Sequence, residues 1–190
     1  MTEFEFIFAL YALVLGLSLV ELLAGLGRAL EHIFATERDG RRFSISWLTP
    51  LLAVFVMLDL LSFWAFAWTV RDLLTVSTGS LLAVMTFASV YYLAARLVFP
   101  SDPDRFSDLD THYFRVSRTI MAMLAALVVV QWIYLLSIEP LREILLRPFG
   151  IGMTVLLLAL MGAAWFTRSK KVSAIVLMAL NIRYLVLYLG

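Results

Sequence analysis

Apolar residues run almost unbroken through six stretches of the chain, near residues 4–26, 46–69, 81–99, 119–138, 149–166 and 172–189, with short polar segments between them. A helix rises about 1.5 Å per residue, and roughly 20 apolar residues carry it across the hydrocarbon layer of a bilayer. The pattern therefore predicts an all-α fold: one polytopic integral membrane domain over residues 1–190, built as a bundle of six transmembrane helices. So little chain lies outside these stretches that any function must sit among the helices or on small loops. Composition agrees. The chain is 63% hydrophobic and 15% charged, against about a quarter charged in soluble domains, and its mean hydropathy is +0.94.

Charge placement predicts the orientation. If the amino terminus lies outside the cytoplasm, the inner segments collect Arg28, Arg38, Arg41 and Arg42, then Arg96, Arg105, Arg115 and Arg118, then Arg168, Lys170 and Lys171. The outer loops then hold only Arg71, Arg142 and Arg147. Positive charge favours the cytoplasmic face, so both termini are expected on the non-cytoplasmic side of the plasma (inner) membrane. Aromatic residues favour the headgroup level and mark the same boundaries. Tyr11, Trp64, Trp68, Trp132, Tyr134, Tyr184 and Tyr188 fall toward the outer ends, and Trp47, Tyr91, Tyr92 and Trp165 toward the inner ends. No Lys or Arg precedes the first apolar run, so it lacks the basic region of a cleavable signal and is expected to be retained.

The two longest connections, residues 31–43 and 100–117, are both inner, and the outer ones read as short turns. The first helix is expected to continue past Arg28 and Glu31 until Asp39-Gly40, a natural stop. Pro100 and Pro103 break the third helix, and Ser107 with Asp110 resembles an acidic capping box for the fourth. Phe106, Leu109 and Tyr113 share a helix face that is expected to lie on the membrane surface. Three spans followed by three raise the idea of an inverted repeat, yet the halves show no residue-level match.

Ionisable groups inside lipid are costly and need a partner, water or a purpose. Asp59 lies mid-way along the second span, Gln131 inside the fourth, and Asn181 and Arg183 inside the sixth. Counted from the inner helix ends, Asp59, Gln131 and Arg183 share one layer, and Asp59 is expected to meet Arg183 across the second and sixth spans. Such a pair is either a structural clamp or a cation- or proton-binding site tuned by Arg183; Arg183 reaching the outer interface is a third reading. Glu21 shares one face of the first span with Tyr11, Ser18, Gly25 and Arg28, and either Arg28 or Arg96 is placed to neutralise it. Gly25 suits close helix approach, as do Gly150, Gly152, Gly162, Ala163 and Ala164 in the fifth span, where the packing could be between protomers of a homo-oligomer.

Other chemistry is excluded residue by residue. The absence of cysteine removes disulfides, thiolate metal sites and S-acylation. His32 and His112 fall in loops, unsuited to holding a haem between helices, and no cofactor is expected. Asp102, Asp104, Asp108 and Asp110 fail the Ca²⁺-loop register, which would require Gly at Ser107 and Glu at Tyr113, so no metal site is expected. There is no hydrolase, metalloprotease or phosphate-binding motif, so no enzyme is expected, and no polybasic surface for nucleic acid. The functional expectation is a small channel or permease for an ion or small solute, with Glu21, Asp59, Gln131, Asn181 and Arg183 lining a polar path. The rival is a non-transporting accessory subunit, assembly factor or sensor. It would bind a protein partner at the cytoplasmic face through Arg41, Arg42 and Asp108.

Overall fold

The computed structural model describes residues 3–38, 47–69, 71, 77–101 and 109–189. They form seven helices: α1 (Glu3–Arg38), α2 (Leu48–Thr69), α3 (Thr78–Val98), α4 (Leu109–Leu136), α5 (Glu139–Leu145), α6 (Pro148–Phe166) and α7 (Lys170–Leu189). No strand occurs among the described residues. All but α5 are long and apolar enough to cross a membrane, so this is a multi-pass helical architecture. Large apolar side chains cover the outside, among them Leu82, Ile133, Phe149, Phe166 and Ile175. Such a surface would associate in water and suits hydrocarbon. Hydroxyls on the helices are hidden by bonding back one turn: Thr86 to the Leu82 carbonyl and Ser89 to the Met85 carbonyl at 2.8 Å, and Thr154 to the Gly150 carbonyl at 3.0 Å.

Local sequence sets the helix ends. Ser77 and Ser80 exchange side-chain and backbone bonds as a capping box that opens α3. Phe99, just before Pro100, is extended and closes it. Pro148 opens α6, where its missing N–H removes no intrahelical bond. α1 runs on to Arg38, as the spacing predicted, and Asp39-Gly40 lies outside the described residues.

Two local expectations are corrected. The connection before α6 is not a plain turn, because Leu141 is buried beside Leu135, with Phe66 and Ile138 packed against them, and this small apolar cluster accompanies α5. Leu109 and Tyr113 do not lie on a membrane surface: they are 2% and 1% exposed. The Thr49 hydroxyl donates to the Leu109 carbonyl at 3.2 Å, and His112 Nε2 lies 3.1 Å from the Leu97 carbonyl oxygen. With α2 and α3 on either side, the first turn of α4 belongs to the core.

α2 is central, touching α1, α3, α4 and α7, and its Leu52, Phe55 and Val56 are fully buried. α1 packs along α3, where Gly25 faces Phe99 so closely that a Cβ would come within 2.5–2.7 Å of that side chain. One end of the bundle gathers the starts of α2, α4 and α7 with the ends of α3 and α6. Besides the Thr49 and His112 contacts, Lys170 pairs with Asp110, and Arg118 Nε donates to the Trp165 carbonyl at 3.2 Å. At the other end Phe8 packs on Trp64 and Trp68, with ring centroids 5.3 and 5.1 Å apart.

Candidate functional site

Asp59 is 2% exposed in the middle of α2 and is held by phenols from two other helices. Tyr91 of α3 donates to Oδ2 at 2.9 Å, and Tyr184 of α7 donates to Oδ1. Tyr11 of α1 completes the surroundings: it is 2% exposed, lies within electrostatic reach of Asp59, and its hydroxyl has no hydrogen-bond partner. Aromatic rings fill the space around these polar atoms. Phe63 packs on Tyr11, Phe87 and Tyr91 at centroid distances of 5.5, 5.2 and 5.9 Å, and Phe55 lies 6.1 Å from Tyr184. A carboxyl group in such a setting is stabilised by hydrogen bonds in place of water. Tyr11, Tyr91 and Tyr184 are therefore core residues, and their expected place at a headgroup boundary is corrected.

The expected Asp59–Arg183 pair does not form. Tyr184 takes the carboxylate, while Arg183, one residue earlier, donates from Nε to the Met153 carbonyl of α6 at 2.8 Å. The reason is angular. Consecutive helical residues point about 100° apart at 3.6 residues per turn, so similar depth along two helices does not bring side chains together. Arg183 still lies within electrostatic reach of Asp59, and its guanidinium carbon sits 4.8 Å from the Tyr184 ring centroid.

Gln131 leaves the expected layer as well. Thr49 and Leu109 meet side by side, so a rise of 1.5 Å per residue puts Asp59 roughly 15 Å along the bundle and Gln131 roughly 33 Å along it. α4 begins at Leu109, roughly two to three turns before the fourth apolar run, which moves Gln131 that much further from the shared end. Asn181 is buried, and its Nδ2 donates to the Leu51 carbonyl across the α2–α7 contact at 3.1 Å and to the Leu177 carbonyl of its own helix at 2.8 Å. Its Oδ1 has no partner.

A second polar group, missed from the sequence, lies between α4 and α7. Tyr113 and Ser173 are 1% and 0% exposed and face each other without a well-formed hydrogen bond, and Asp110 Oδ1 beside Lys170 has no partner. Ser117 faces the same spot. The signal was present as spacing: Asp110, Tyr113 and Ser117 follow helical steps of three and four, and so do Lys170, Ser173 and Leu177. Along α7 the steps continue through Asn181, Tyr184 and Tyr188, whose hydroxyl donates to the Leu58 carbonyl at 3.4 Å. One face of α7 thus carries polar groups from Lys170 to Tyr188, and Leu177, fully buried, is the apolar interruption.

Glu21 stands apart from this face. Arg96 donates to Glu21 Oε1, and Arg28 Nη2 lies 3.5 Å from the same oxygen, so both cations offered by the spacing reach it. All three side chains are partly exposed, and such a cluster contributes little to stability. In α6, Gly152 and Gly162 have nothing within 4 Å of a Cβ position, so their expected role in tight packing is not met inside this chain. No group of three or more metal-ligating side chains occurs among the described residues. Arg41, Arg42 and Asp108 lie outside the described residues. No protein family, curated protein or solved structure matches this chain.

Proposed function

We propose that this protein is a small channel or permease for an ion or small solute, with its path along the polar face of α7 and Asp59 as the central station. One observation carries the reading. Along one face of α7, buried Ser173, which Tyr113 of α4 faces, and buried Asn181, whose Oδ1 has no partner, lead up to the tyrosine-caged carboxylate. More than nine in ten buried polar groups in proteins find a partner, and polarity inside a membrane helix is costly unless it serves conduction or packing. In this reading Leu177 and the closed tyrosine cage are the barriers of an occluded state. The path differs from the one first expected: Tyr113 and Ser173 replace Glu21 and Gln131.

The proposal includes orientation. Arg96, Arg115, Arg118, Lys170 and Lys171 gather at the end where α4 and α7 begin, which the positive-inside rule assigns to the cytoplasm of the plasma (inner) membrane. Purified protein in liposomes should dissipate an imposed gradient of H⁺, Na⁺, K⁺ or a small amphiphile faster than protein-free liposomes do. Asp59→Asn should return that rate to the protein-free level. Equal rates with and without protein for every probe would end the transport reading.

A second reading, the non-transporting accessory subunit, assembly factor or sensor, draws on the same cage. Bonds from α3 and α7 onto Asp59 of α2 tie three helices into one unit. It predicts normal partner recovery from membranes carrying Asp59→Asn with Arg183→Gln, and loss of recovery on changing Arg41, Arg42 or Asp108.

A further inference from the structure

We infer that the species bound at Asp59 is a proton rather than a metal cation, and that Tyr184 and Ser62 form the switch that rearranges when it binds. The inference rests on the transport reading and narrows its substrate. Metal cations of the hard type require several oxygen acceptors turned toward one point. At Asp59 the arrangement is the opposite, since both carboxylate oxygens receive phenolic hydrogens and Arg183 places a positive charge nearby. The carbonyls of Asp59 and Leu58 also accept hydroxyl hydrogens, from Ser62 at 2.8 Å and from Tyr188 at 3.4 Å. Each carboxylate oxygen already accepts one phenolic hydrogen, so no open cluster of acceptors faces a metal cation, and a second cation beside Arg183 is repelled.

A proton fits without any helix moving. The ionised carboxylate accepts from Tyr91 and Tyr184. When a proton bonds to Oδ1, that new O–H donates to the Tyr184 hydroxyl oxygen, and the Tyr184 hydrogen swings away from Asp59. Ser62 Oγ lies within bonding reach of Tyr184 and accepts it, while the Ser62 hydroxyl keeps its own bond to the Asp59 carbonyl. One O–H bond forms on Asp59, none breaks within the protein, and Tyr91 keeps its bond throughout. A hydroxyl can donate and accept at once, which the Tyr184–Ser62 pair exploits. The titratable and charged groups facing the carboxyl are Tyr11 from α1, Tyr91 from α3, and Arg183, Tyr184 and Tyr188 from α7. The α4 contact identified on α2 lies at the start of α2, through Leu109 and Thr49, roughly 15 Å from the level of Asp59.

Infrared difference spectra of the full chain in lipid nanodiscs, recorded across a pH series in H₂O and D₂O, test this. A carboxylic-acid band should appear on acidification, shift in D₂O, and be lost in Asp59→Asn. Tyr184→Phe, which keeps the carboxyl and the fold, should retain the band at a changed frequency, and Ser62→Ala should change it in the same sense. Adding Na⁺ or K⁺ should leave the midpoint unchanged. The inference is overturned if the band survives Asp59→Asn, if Tyr184→Phe leaves its frequency untouched, or if the midpoint follows Na⁺ or K⁺ concentration. A titrating Asp59 band in a protein that moves no probe upholds the proton site and removes the transport reading alone. Flux in the parent that Asp59→Asn abolishes, with no such band in the parent, removes the proton site alone.

Discussion

Asp59→Leu should be the most damaging single substitution in the bundle, lowering the unfolding temperature in detergent more than any exchange on the lipid-facing surface. The loss comes from what remains behind. Tyr91 keeps its buried hydroxyl with no acceptor, at about 1–3 kcal/mol for such a group, and Tyr184 is left with Ser62 in place of the carboxylate. Removing both partners of a buried bond is far milder than removing one. Asp59→Leu with Tyr91→Phe and Tyr184→Phe should therefore recover most of the lost stability, as read by fluorescence-detected size exclusion after heating. A single Asp59→Leu variant as stable as the parent would show that the cage contributes nothing to packing.

Gly25→Leu should come second, and its cause is steric. A Cβ at this position would lie 2.5–2.7 Å from the Phe99 ring and its Cβ, and Phe99 is itself buried. Overpacking of this kind costs about 1–3 kcal/mol. Gly16→Leu and Gly27→Leu on the same helix meet nothing within 4 Å of their Cβ positions and should be tolerated. Phe99→Ala should partly rescue Gly25→Leu, because it removes the colliding ring. The heating assay above reads all four variants. An unaffected Gly25→Leu protein would mean that α1 does not approach α3 as described.

The coarse architecture was legible because apolar run length is a one-dimensional property, and each of the six runs became a long helix. Glu21 was equally readable, since Arg28 lies on its own helix and Arg96 at the end of a neighbouring one. What failed was anything that required the azimuth or the starting point of a helix. Depth matching put Arg183 on Asp59, whereas the next residue, Tyr184, faces it. The level of Gln131 depended on where α4 begins, and the Leu109–Thr49 contact sets that start well before Arg118. Tyrosine was misread for a chemical reason: its hydroxyl suits a headgroup boundary and a buried carboxylate equally well, and sequence alone does not separate the two. Tyr113 and Ser173 were overlooked because no charge draws the eye to them.

The account depends most on α7 turning its Asn181, Tyr184 and Tyr188 face onto α2. Because the chain contains no cysteine, introduced pairs in membranes report this contact without background. Leu58→Cys with Tyr188→Cys should join readily through a short bifunctional thiol reagent. Leu58→Cys with Ile182→Cys should not, since Ile182 is 57% exposed on the outer side of α7. Linkage of the Ile182 pair, with the Tyr188 pair left unlinked, would contradict the arrangement.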